Sequence, residues 1–84
     1  MPGTPPPCEH AKAGLKKAKE VTAAELKDLN DAQHKLIELQ AVQPPNEAAI
    51  EAQEAKVDTA RNNWLKARKT EKEWQVAVEE LCNP

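Results

Sequence analysis

Four side chains near the two ends of this chain could do chemistry together: Cys8, His10, Glu79 and Cys82. Two cysteines admit a single intramolecular disulfide. As thiolates, with the imidazole and the Glu79 carboxylate beside them, the same pair would suit zinc. Spacing argues against the metal, because Cys-x-His on a helix sends its two side chains to different faces. Zinc sites of this kind also draw on Cys-x-x-Cys or His-x-x-x-His pairs, and neither occurs here. A third use is two unpaired thiols packed at the end of a seam. The disulfide is favoured, since Cys8 and Cys82 stand nearly equidistant from the Pro44-Pro45-Asn46 break. Folding the chain at that break brings the sulfurs together, and closing so long a loop disfavours the unfolded chain by about 4.5 kcal/mol. No metal and no cofactor is assigned.

The remaining titratable residues are read more simply. His34 lies between Asp31 and Glu38 at i−3 and i+4, as a solvated histidine on a helix surface does. Glu71 falls at a seam position facing Ala18, with a bond to Lys19 or another lysine expected at the interface edge. The sequence has no serine and no Gly-rich phosphate loop, and a pair of helices encloses no deep pocket. Catalysis is not expected.

The elements that position these groups follow from composition and pattern. The chain has 84 residues, 31% of them charged, 39% hydrophobic with alanine leading, no Phe or Tyr and two Trp. That is too little bulk for a thick core, and it matches the profile of long helices and coiled coils rather than a globule. No apolar run approaches the roughly 18 residues of a membrane span, and nothing reads as a cleavable signal peptide. Export would therefore make this a mature form.

Residues 1–7 are a Pro-rich lead-in expected to be extended, since residues before proline are pushed out of the helical region. Residues 8–84 should form a helical hairpin: one helix over about 8–42, a turn at 43–46 and a second helix over about 47–82. Gly14 is the one glycine inside the first helix, at a cost of about 1 kcal/mol against alanine. Leu15, Leu26 and Ile37 recur every eleven residues, as do Ala18, Leu29 and Gln40, which predicts a nearly straight first helix. Asn46 suits the N-cap of the second helix and Glu47 its first turn. That helix keeps a heptad through Ile50, Gln53, Val57, Ala60, Trp64, Ala67, Glu71, Trp74, Val78 and Leu81.

Antiparallel pairing about residue 45 opposes large groups to smaller ones: Ala11 to Val78, Leu15 to Trp74, Leu26 to Trp64 and Leu29 to Ala60. The expected seam core is Leu15, Leu26, Leu29, Leu36, Ile50, Val57, Trp64, Trp74, Val78 and Leu81. The fold class is therefore all-α, a two-helix antiparallel coiled-coil hairpin closed by one disulfide, with self-association into a four-helix bundle open to it. An extended or swapped oligomer is the alternative.

Charge divides along the rod. Residues 25–58 carry eight acids and three bases, a net of −5, and the remainder carries six acids and nine bases, a net of +3. Lys16, Lys17, Lys66 and Lys69 belong to the basic half, which could meet phosphates or an acidic protein, although a solvated face laced with pairs such as Lys16 with Glu20 and Lys69 with Glu73 is the simpler reading. Val21, Ala24, Leu39, Leu65 and Val76 lie off the main stripe and suggest a second apolar strip. The candidate partner-binding residues are Glu38, Glu47 and Glu51 at the turn, with Leu39, Leu65 and Val76 on the helices.

In its Ala/Lys/Glu-rich helix pair the chain resembles the coiled-coil hairpins by which nuclease bacteriocins bind receptors. In its length and Pro-Pro-Asn turn it is similar in outline to type III secretion needle subunits. Both resemblances imply binding or assembly rather than catalysis. The expected function is a non-enzymatic protein-protein interaction module that presents a helix face or its acidic turn to a partner or receptor. The alternative is a dimeric hairpin that holds nucleic acid on its basic half. A disulfide implies an oxidising setting, whether secreted, periplasmic or virion-associated.

Overall fold

The computed structural model describes residues 7–83; the lead-in at 1–6 and residue 84 lie outside them. Two helices, α1 (Pro7–Ala41) and α2 (Glu47–Cys82), pack antiparallel as a rod of 68 × 19 × 14 Å. Pro7 opens α1 rather than closing the lead-in, at a position where its missing N–H costs no intrahelical bond. Val42 leaves the helix ahead of Gln43-Pro44, as the restriction on residues before proline requires, and its N–H still donates to the Leu39 carbonyl at 3.4 Å. Asn46 is extended at φ −94°, ψ 94°, and its side-chain oxygen accepts from the Ala49 N–H at 3.1 Å, capping α2. At the far end the Asn83 N–H donates to the Glu79 carbonyl at 3.2 Å.

The seam of α2 runs through Ile50, Gln53, Val57, Ala60, Trp64, Ala67, Glu71, Trp74 and Val78, all buried or half-buried. The seam of α1 is also a heptad: Ala11, Leu15, Ala18, Thr22, Glu25, Leu29, Ala32, Leu36 and Leu39. This corrects the eleven-residue stripe. Leu26 is 39% exposed and Ile37 is 63% exposed, because the matching heptad of α2 selects Glu25 and Leu36 and leaves the next residue, about 100° round the helix, on the flank. Leu81 is likewise not a seam residue, being 48% exposed. The disulfide draws Cys82 into the last layer and turns its neighbour outward.

The dry interior is thin. Ala11, Ala18, Leu29, Val57 and Ala67 are the buried hydrophobic residues among those described. Small residues at these positions let two backbones approach closely, so dispersion between the helices supplements a modest hydrophobic term. Gln53 is the fully buried polar residue of the seam among those described, and its Nε2 donates to the Ala32 carbonyl at 2.9 Å. Among the described residues no buried side-chain polar atom lacks a partner.

The Cys8–Cys82 disulfide closes the open end, with Cα atoms 4.9 Å apart across a sequence separation of 74. Reduction is expected to cost about 4.5 kcal/mol of stability by the loop-entropy argument, read as a lower urea midpoint with loss of helical circular dichroism. Gln53→Ala should cost about 1 to 2 kcal/mol in the same titration of the oxidised protein, through the lost hydrogen bond and the space left behind.

Candidate interaction surface

Both thiols are committed to the disulfide, so the zinc alternative loses its two strongest ligands. No group of three His, Cys, Asp or Glu side chains among the described residues is placed to hold a metal ion. His10 instead meets Trp74 edge to face, with ring centroids 5.9 Å apart and planes at 68°. Trp74 lies directly over Gly14: a Cβ built there would stand 2.5 Å from two ring carbons. The glycine that reads as a weakness of α1 is the hole for the largest knob of α2. The ring expected opposite Leu15 has settled one residue earlier, where no side chain opposes it.

The two tryptophans stand over the edges of the seam on opposite faces of the hairpin. Trp74 borders a groove of about 440 Å³ with Gly14, Ala18, Val21, Lys66 and Ala67. On the other face Trp64 joins Leu26 and Leu65 around a broader groove of about 680 Å³, rimmed by Arg68, Lys69 and Lys72. The Arg68 guanidinium carbon sits 5.0 Å from the Trp64 ring centre, a cation–π contact that holds the ring's outer side. Leu65 is 47% exposed.

The apolar residues read as one second strip are therefore split. Val21 belongs to the Trp74 face and Leu65 to the Trp64 face. Leu39 is half-buried in the seam rather than displayed, whereas Val76 is exposed. At the turn Glu38, Glu47 and Glu51 are all exposed, and Glu38 is held by His34, whose Nε2 is 3.1 Å from its carboxylate. The remaining ion pairs of the described residues are local, Glu9 with Lys12 and Asp58 with Arg61. Among those residues, neither the Lys16 with Glu20 pair nor the Lys69 with Glu73 pair forms. Half-buried Glu71 lines the Trp64 groove and likewise makes no ion pair there, in place of the expected lysine bond. Sequence reasoning placed Leu26 and Trp64 together in the interior; Trp64 is half-buried in the seam, whereas Leu26 is 39% exposed.

Fold and surface define a disulfide-closed antiparallel helical hairpin with a different groove on each face. No protein-family model matches the chain, and comparison with curated proteins and with solved structures finds no significant similarity.

Gly14→Ala tests the knob and hole directly. Helix propensity alone would favour alanine by about 1 kcal/mol. Displacement of the Trp74 ring should reverse that sign, giving a net loss of about 1 to 2 kcal/mol in urea titration and a red shift of tryptophan emission.

Proposed function

We propose that this protein is a non-enzymatic protein-protein interaction module that works in an oxidising compartment and binds through the Trp64 face of its hairpin. The observation that carries this reading is one groove of a covalently closed rod at which exposed Leu26 and Leu65 flank half-buried Trp64. A closed rod has already given up its unfolded-state freedom, so docking on it costs little additional ordering. Tryptophan and arginine are the residue types enriched at the energetic centres of interfaces, and a polar rim surrounds such centres. A receptor or an assembly component is the class of partner such a face suits. The acidic turn with Glu38, Glu47 and Glu51 serves as a second contact or as an electrostatic guide toward a basic surface.

Phosphate binding by the basic half is the rival reading. The net charge of −2 weighs against it, as does the engagement of Trp64 by Arg68, which leaves that ring less free to stack on bases.

A photoreactive amino acid placed in turn at Leu65, Thr59 and Glu47 tests the proposal in the protein's own setting. A discrete protein adduct from position 65, with little from position 59 on the other side of the hairpin, is the expected result. Adducts confined to position 47 would move the site to the turn. Saturable binding of a duplex oligonucleotide, weakening steeply with salt and with alanine at Lys16, Lys17, Lys66 and Lys69, would replace protein binding by nucleic-acid binding.

A further inference from the structure

The Trp64 face is its own complement when turned end over end. Asp58, Leu65 and Lys72 are spaced by seven and so form one line along α2, with Leu65 near the middle of Glu47–Cys82. Leu65 and Lys72 both border the Trp64 groove, and Leu26 faces them from near the middle of Pro7–Ala41. We propose that this face docks on the same face of a second copy of the chain, with the two rods antiparallel, forming a four-helix assembly. This rests on the reading of the Trp64 face as the interaction surface, and it names the occupant.

A two-fold axis crossing both rods at the level of Leu26 and Leu65 makes such a contact isologous. Leu65 then meets the second copy's Leu65, and Lys72 meets the second copy's Asp58 in two equivalent pairs. On the larger scale, the turn half with its net −5 lies along the other copy's remainder with its net +3. Stacking the rods in parallel would set like halves together, so charge selects the antiparallel arrangement. Arg61, Arg68 and Lys69 are the like charges near this axis: Arg68 is turned onto Trp64, and Arg61 is held at 3.4 Å by Asp58 of its own chain, whose second carboxylate oxygen stays open to Lys72 of the other copy. Leu65 lies about 26 Å from the Cys82 end at 1.5 Å per residue, so a two-fold there overlaps the rods over about 52 Å. With the 19 Å width this offers a footprint of about 1,000 Å² per copy, above the roughly 800 Å² of a standard interface.

Sedimentation equilibrium of the oxidised protein should give twice the 9.3 kDa chain mass. Lys72→Glu and Asp58→Lys each turn two attractions into repulsions and should weaken association about tenfold. Both positions are exposed, so circular dichroism should be unchanged. Mixed in equal amounts, the two variants should associate as tightly as the parent, because each supplies the charge that the other needs. A mass of one chain at every concentration overturns the proposal, as does a mixture no tighter than either variant alone. If the chain stays single while position 65 still cross-links to a different protein, the interaction reading stands and only self-docking falls. Absence of any adduct at position 65 together with a single-chain mass overturns both.

Discussion

Two long helices held by one thin seam depend on the covalent tie between Cys8 and Cys82. Among the described residues the buried hydrophobic ones are mostly alanine, with Leu29 and Val57 the largest, and no large side chain is fully enclosed. Such a seam contributes little by area, and it must offset the ordering of more than seventy backbone positions. The disulfide removes much of the disorder available to the unfolded chain before any contact forms. The turn and its Asn46 cap fix the other end. Between these two fixed points the seam has only to choose the register, which is the role of buried Gln53 and of the Trp74 ring over Gly14.

The same poverty of core explains the surface. Both tryptophans are half-buried at the edges of the contact. Each ring then becomes one wall of a groove, Trp74 on one face and Trp64 on the other. Trp74 is committed by its seat on Gly14 and by the edge of His10. Trp64 has the guanidinium of Arg68 on its outer side, and its apolar neighbours Leu26 and Leu65 remain open. This asymmetry is what distinguishes the two faces of the hairpin.

Antiparallel pairing also turns a feature of sequence into one of shape. The acids of residues 25–58 come from the end of α1 and the start of α2, and the fold collects them at the turn while the lysines gather toward the cysteines. A rod with opposite ends of opposite charge orients whatever approaches it, including its own copies.

Much of this architecture was legible in the residues alone. Cys8 and Cys82 about Pro44-Pro45 specified a closed hairpin, Asn46 specified where α2 begins, and the three-and-four spacing of α2 specified nine seam positions from Ile50 to Val78. These are local or pairwise signals that need no knowledge of the neighbouring helix. Helix α1 was ambiguous because two of its large apolar side chains, Leu26 and Ile37, lie off the seam, while Thr22 and Glu25 lie on it. Hydrophobicity by itself ranks those residues wrongly, and only the heptad of α2 packed against α1 decides which stripe is covered. Likewise the sequence presented Gly14 as a weak point and Val21 and Leu65 as one strip. The tertiary structure made the glycine a socket and put the two apolar residues on opposite faces, since the side of a hairpin on which a residue lies is defined only once two helices share an axis.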